Sequence, residues 1–164
     1  MLPEWLNLNA PGFEELSNKE KNAIMHFSLL WSLFEAQVLN TSASANSICS
    51  KINSWSDAGV LSPNAFEEYK NYFVSRYIED GNVNYHFTHL HLRKNDKPEL
   101  VESVLKGNEE SVANVVSALL IIVLRYRNNF FHGVKWAYGL HGQLDNFNTA
   151  NQLLMKVIEL NKQI

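Results

Sequence analysis

Apolar side chains recur at helical spacing over most of this chain. A capping box at residues 17–20 opens a segment in which apolar positions repeat every three or four residues up to about Asn40. A second helix is predicted over residues 44–56 by the same pattern. Ser62 followed by Pro63 is typical of a helix start, and an aromatic stripe continues from there to Gly81. The first half of the chain therefore predicts helices packed by one face.

The second half continues this pattern after one interruption. Pro98 is predicted to begin a brief helix that ends near Lys106. Polar residues 108–111 then cap a long helix whose positions 112–124 are mostly aliphatic. A last amphipathic helix is predicted over residues 147–160. We therefore expect an all-α bundle of four to five main helices.

Two segments depart from the helical pattern. Residues 85–93 alternate between polar and apolar side chains, which predicts a short strand or extended loop within an insertion at residues 82–97. Residues 1–16 contain prolines, a glycine and several large apolar side chains. Because so much apolar surface is unfavourable in water, this N-terminal arm is expected to lie against the body or a partner subunit.

Length and composition restrict the class of protein. A chain of 164 residues suits one domain, residues 1–164. A net charge of −3 argues against a protein that coats nucleic acid non-specifically, but all four arginines lie in the middle of the chain: Arg76, Arg93, Arg125 and Arg127. One cysteine, no secretion signal and no apolar run of membrane-spanning length predict a cytoplasmic protein without membrane association.

The candidate chemistry lies at the end of the longest apolar run. Arg125, Arg127 and His132 follow the aliphatic positions directly, and two asparagines separate Arg127 from Phe130. Arginine can bind a phosphate through two parallel hydrogen bonds, and histidine can transfer protons near neutral pH. This combination favours phosphodiester cleavage without a metal or other cofactor.

The spacing of Arg127 and His132 places a condition on any shared site. Five residues apart, they lie about 140° apart around an unbroken helix. Either the helix breaks at Asn128 and Asn129, or a second copy of the chain completes the site across a two-fold axis. A structural alternative is that the arginines pair with carboxylates such as Glu35 while His132 only caps a helix.

Residues 126–135, with the sequence YRNNFFHGVK, resemble the Arg-x(4–6)-His signature of the HEPN superfamily, and more narrowly its RNNxFHG branch. The first-helix pattern at residues 27–35 and the aliphatic approach at 121–124 are similar to that branch as well. The resemblance covers about residues 20–160. It implies a HEPN-like bundle that dimerises through the motif helices and cleaves RNA without a metal, as in toxin and antiphage-defence systems.

The resemblance makes Arg127, Asn128 and His132 the catalytic positions. Negative charge on the phosphate would be stabilised by Arg127, and His132 would act as acid or base. Further RNA contacts are expected from polar side chains beside the motif and on the insertion: Arg125, Asn129, Arg93 and Lys94. Glu35 is the carboxylate expected near the motif, where it could hold an arginine in place without contacting the RNA. Where one toxin branch continues His-x-Tyr, this chain has Gly133 and Val134, which puts control by tyrosine nucleotidylation in doubt.

The sequence leaves open another function for the chain and other roles for several residues. The chain could be a catalytically inactive module that dimerises and binds RNA, nucleotide or a protein, and an antitoxin or other regulatory protein is a further expected partner. The insertion histidines, His86, His89 and His91, could hold zinc, contact RNA or form a solvated edge. Trp136 and Tyr138 could line the cleft or anchor the last loop.

Overall fold

The computed structural model describes residues 1–133 and 141–164; Trp136, Tyr138 and the Val134 end of the motif lie outside this part. The described residues are mostly helical and confirm the predicted all-α bundle. Their helices are α1 (Leu2–Asn9), α2 (Asn18–Gln37), α3 (Ala45–Asp57), α4 (Glu67–Tyr77), α5 (Tyr85–Thr88), α6 (Pro98–Leu105), α7 (Val112–Phe131) and α8 (Leu144–Asn161). Strands β1 (Ile78–Glu79) and β2 (Asn82–Val83) form one antiparallel hairpin.

Helix α7 is the centre of the bundle. Every residue from Val115 to Tyr126 is buried, as expected for a helix that is apolar on all sides and surrounded by others. Helices α3 and α6 pack against α7, while α2 packs against α8. Both ends of α7 emerge from this core, and the C-terminal end carries the motif.

The local signals that begin α2 and α3 are confirmed, whereas in the cap predicted for α7 at residues 108–111 the Ser111 side chain makes no capping hydrogen bond. Ser17 accepts a hydrogen bond from the Glu20 backbone and begins α2, and Ser44 caps α3 in the same way. The helix predicted after Ser62 is shorter than expected. A 3-10 turn over Pro63–Phe66 precedes α4, and Asp80 and Gly81 have positive φ angles in the β1–β2 turn. An Asp-Gly pair favours such a two-residue hairpin.

The short strand or extended loop predicted at residues 85–93 is wrong for residues 85–88, which form a helical turn, while residues 91–93 form a loop. The Asn84 side chain accepts a hydrogen bond from the Phe87 backbone, and the Thr88 hydroxyl donates to the Tyr85 carbonyl, which closes the single turn of α5. A 3-10 turn at Lys94–Asp96 follows. Asparagine and threonine supply these local bonds where a strand would need a partner strand.

Helix α1 of the N-terminal arm, predicted to lie against the body or a partner subunit, buries none of its side chains within the chain. Its Trp5 side chain remains 59% exposed. The end of the arm does contact the body: the Lys21 ammonium of α2 lies 4.4 Å from the centre of the Phe13 ring, and Leu16 is buried. Contact of α1 with a partner subunit stays a prediction. None of the described helices combines the length and the apolar character needed to cross a membrane.

Glu20 joins the start of α2 to the residues before α8. Its carboxylate accepts hydrogen bonds from the Ser17 backbone at 2.9 Å and from the Gly142 backbone at 3.0 Å. The bond from Ser17 is the main cause that lowers the pKa of Glu20 below its usual 4.5. The ionised carboxylate therefore stabilises the folded chain.

Replacing Glu20 by alanine is expected to lower the free energy of unfolding at pH 7 by about 1–2 kcal/mol. Because the folded pKa lies below the unfolded one, this contribution is complete above pH 4.5 and disappears as the pH falls through the folded value. Urea denaturation at several pH values measures it. The exposed Glu14→Ala variant is the control, and an equal loss at pH 3 would contradict the assignment.

Candidate functional site

The last turn of α7 is continuous, and the helix ends directly after it. The His132 backbone donates to the Asn128 carbonyl at 2.9 Å, and the Gly133 backbone donates to the Phe130 carbonyl at 3.2 Å. Gly133 has a φ of +75°, the left-handed conformation that commonly follows a helix and that glycine adopts without strain. The break considered at Asn128 and Asn129 is therefore absent, because the backbone hydrogen bonds of this turn are complete.

The exposed side chains of this turn occupy one sector of the helix. Arg127 and Asn128 are partly exposed, while Phe131 and His132 are exposed. At about 100° per residue, Arg127 and His132 lie at the two edges of a sector about 140° wide, with Phe131 and Asn128 between them. Among the described contacts, no hydrogen bond or ion pair joins His132 to Arg127 within the chain.

Arg127 is oriented by neighbours on α7 and α2. Its Nη1 donates to Asn128 Oδ1 at 3.0 Å, and its Nη2 lies 3.8 Å from Glu35 Oε2. The guanidinium stands 5.9 Å from the Trp31 ring centre and 5.4 Å from that of Phe131. The side chain is still 32% exposed. Arg127 is thus held at the surface and remains open to solvent.

Glu35 is fixed by a second contact. The Trp31 indole Nε1 donates to Glu35 Oε2 at 2.7 Å, and this oxygen is the one that faces Arg127. The structure therefore places Glu35 beside the arginine. At 3.8 Å the pair attracts electrostatically but lies beyond the distance of an N–H···O hydrogen bond.

Arg125 lies on the buried side of α7, where it holds the insertion. Its Nε donates to the Leu90 carbonyl at 3.0 Å, Nη1 to Asp96 Oδ2 at 3.1 Å and Nη2 to Asn129 Oδ1 at 3.2 Å. Burial lowers the pKa of Arg125, and the Asp96 carboxylate opposes that shift. Asn129 donates to the carbonyls of His89 and Leu90 at 3.2 and 3.1 Å.

This placement corrects the expectation that Arg125 and Asn129 contact substrate. Each is 2% exposed, and their donors are engaged by the insertion backbone and Asp96. Asp96, which sequence reasoning missed, supplies the carboxylate. The i,i+4 spacing of Arg125 and Asn129 puts both on one face of the helix, but it does not indicate that this face is buried.

The remaining predicted contacts lie on the insertion. Arg93 and Lys94 are both exposed; Lys94 begins the 3-10 turn that contains Asp96, and Arg93 precedes it. The Arg93 backbone donates to Asp96 Oδ2 at 2.8 Å. No contact among the described residues joins either cation to Arg127, so the structure brings together Arg127, Asn128 and Glu35 but leaves Arg93 and Lys94 separate.

The insertion histidines do not converge on a metal position. The His89 and His91 rings are 6.0 Å apart and perpendicular, while His89 lies edge-on to Tyr85 at 4.4 Å. Across residues 1–133 and 141–164, no group of three or more His, Cys, Asp or Glu side chains is arranged to hold a metal ion. The zinc alternative therefore has no ligand set in the described chain.

No family model, curated protein or solved structure matches this chain. Assignment of an activity therefore depends on the motif in α7 and on the chemistry of the side chains around it. These are a surface guanidinium with an amide and a carboxylate beside it, and an exposed imidazole at the end of the same helix.

Proposed function

We propose that this chain is a metal-independent endoribonuclease of the HEPN type that works as a homodimer in the cytoplasm. Its catalytic residues are Arg127, Asn128 and His132. The protein acts as a toxin or antiphage-defence effector and is controlled by a regulatory protein. The observation that carries the proposal is the exposed end of α7. It presents Arg127 and His132 at the two edges of one solvent-facing sector.

The continuity of α7 supports a site shared between two copies. In a two-fold contact, if a first residue of one copy contacts a second residue of the other copy, the reverse pair is also in contact. One edge of the sector on one copy can therefore meet the opposite edge of the sector on the other copy. With the axis near Asn128 and Phe131, Arg127 of one copy would face His132 of the other. Phe131, which is 57% exposed, supplies apolar surface between the two polar edges.

The reaction needs only these groups and the RNA. The ribose 2′ oxygen forms a bond to the adjacent phosphorus while the bond from phosphorus to the 5′ oxygen breaks. The products are a 2′,3′-cyclic phosphate and a free 5′ hydroxyl. One proton leaves the 2′ oxygen and one reaches the 5′ oxygen, and the exposed His132 imidazole would carry out one of these transfers.

Arg127 would stabilise the negative charge that develops on the phosphate. Asn128 holds Nη1, whereas Nη2 makes no hydrogen bond to Glu35 at 3.8 Å and offers a donor to a phosphate oxygen. Donors held in place before the reaction stabilise a developing charge without reorganising. Glu35 and Trp31 would thus position Arg127 rather than touch the RNA.

A second candidate is a catalytically inactive module that dimerises and binds RNA or nucleotide. The ion pair between Glu35 and Arg127 favours it, because a neighbouring carboxylate opposes the additional negative charge that develops on the phosphate only during cleavage. Incubation with RNA in EDTA separates the two candidates. The enzyme leaves 2′,3′-cyclic phosphate ends that are lost with Arg127→Ala, while the module binds RNA and leaves it intact.

Mixing two inactive variants is expected to restore cleavage. A dimer of one Arg127→Ala and one His132→Ala subunit keeps one complete site, if each site takes its arginine and histidine from different copies. Random exchange makes half of the dimers mixed, so activity should reach about a quarter of wild type. Cleavage of labelled RNA after subunit exchange measures it.

The matched control mixes wild-type chain with the Arg127→Ala/His132→Ala double variant. If each site is shared between two copies, only the wild-type dimers are active, and they hold about a quarter of all sites. If each site lies within one chain, about half of all sites remain active. Absence of rescue in the first mixture contradicts the shared site. Cleavage by the double variant alone contradicts the proposed function.

A further inference from the structure

Four aromatic rings stand together on the outer side of the insertion. Tyr85 is 73% exposed and lies edge-on to His89, with ring centres 4.4 Å apart. His86 follows Tyr85 at 6.1 Å, and His91 follows His89 at 6.0 Å. We call Tyr85, His86, His89 and His91 the ring cluster. Exposed aromatic faces fixed in this way are what unpaired bases stack on.

The ring cluster is attached rigidly to the end of α7 that carries His132. Asn129 donates to the backbone carbonyl of His89 itself, and Leu90 next to it is 2% exposed. The buried ion pair of Arg125 with Asp96 holds the following turn. The insertion is thus anchored to α7 one helical turn from the proposed catalytic histidine.

The surroundings of the ring cluster suit a polyanion. Residues 85–94 contain three histidines, one arginine and one lysine but no carboxylate. Asp96, the next acidic residue along the chain, already pairs with Arg125. Beside the cluster lies a surface pocket, and its lining contains one carboxylate and one guanidinium: Ser75, Arg76, Ile78, Glu79, Asn84 and His86. Arg76 Nε is buried there and makes no hydrogen bond among the described residues.

We infer that the ring cluster is a stacking subsite for an unpaired nucleotide of the RNA that is cleaved at the end of α7. The identity of the ligand as RNA rests on the proposed function. Tyr85 and His89 would take the base, and Arg76 with Arg93 and Lys94 would contact neighbouring phosphates. Arg125 and Asn129 are positioning residues, since they act on the subsite through the insertion backbone.

The test uses a short single-stranded oligonucleotide with 2′-O-methyl groups and one 2-aminopurine. It lacks the attacking hydroxyl and cannot be cleaved, and its fluorescence falls when the base stacks on a ring. Wild-type protein is expected to bind and quench it. Tyr85→Ala should weaken binding about tenfold, because one base–aromatic stack is lost, whereas Tyr85→Phe keeps the ring and should stay within about twofold.

Trp5→Ala is the matched control, since Trp5 is also an exposed aromatic but belongs to α1, outside the ring cluster. It should bind like wild type. The inference is overturned if wild type does not bind the oligonucleotide, if Tyr85→Ala binds equally well, or if Tyr85→Phe is as weak as Tyr85→Ala. Cleavage of ordinary RNA by wild type, measured in parallel, decides the proposed function separately.

Discussion

Replacing His132 by alanine is expected to lower the rate of RNA cleavage by at least about a hundredfold, the range that a positioned acid or base contributes. The fold should not change. His132 caps α7 through its backbone, which donates to the Asn128 carbonyl, and an alanine at this position makes the same bond. Initial rates on a labelled RNA, with analysis of the product ends, measure the effect.

The control is His26→Ala, which removes an exposed histidine from α2. It should cleave at the wild-type rate. Thermal unfolding and the mass of the assembly should be the same for both variants and wild type. If His132→Ala cleaves as fast as wild type in a preparation free of other nucleases, His132 does not transfer the proton.

Replacing Arg125 by alanine is expected to lower the free energy of unfolding by about 3–5 kcal/mol, as removal of one partner of a buried ion pair does. The Asp96 carboxylate would lose its counter-ion, and the carbonyl of Leu90 would lose a donor. The exposed fractions of the Arg125 and Asp96 side chains are 3% and 12%, so water compensates little. Urea denaturation at neutral pH measures this loss.

Arg93→Ala is the matched control, because Arg93 is an exposed arginine of the same insertion. Its expected change is within about 0.5 kcal/mol. An Arg125→Met/Asp96→Leu double variant removes both charges and should recover part of the lost stability. Equal effects of Arg125→Ala and Arg93→Ala would contradict the anchoring role of Arg125.

The main helices could be predicted because their signals are local. Helix starts are marked by Ser17, Ser44 and Pro98, and a helix end is marked by Gly133. Each signal acts within a few residues of the helix terminus. The strand prediction for the insertion was wrong because a strand depends on contacts that are not local. Its alternating side chains are typical of a strand, but a strand needs a partner, and Asn84 and Thr88 close a helical turn instead.

The candidate site could be predicted in part. The motif indicated Arg127, Asn128 and Glu35 as neighbours, and the structure brings them together. The different fate of Arg125 could not be predicted from spacing, because its partners Leu90 and Asp96 lie 35 and 29 residues earlier in the chain. Which of two nearby arginines is buried depends on long-range packing of the insertion.

The insertion is held to α7 by its backbone carbonyls and by Asp96. Its outward side chains make none of these contacts, so they can be replaced by other residues. The His89 and Leu90 carbonyls that accept from α7 exist whatever side chain position 89 carries. Substitutions at Tyr85, His86 and His91 therefore leave the anchor intact. A scaffold of this kind could acquire new target preferences by surface change alone, without remaking its interior.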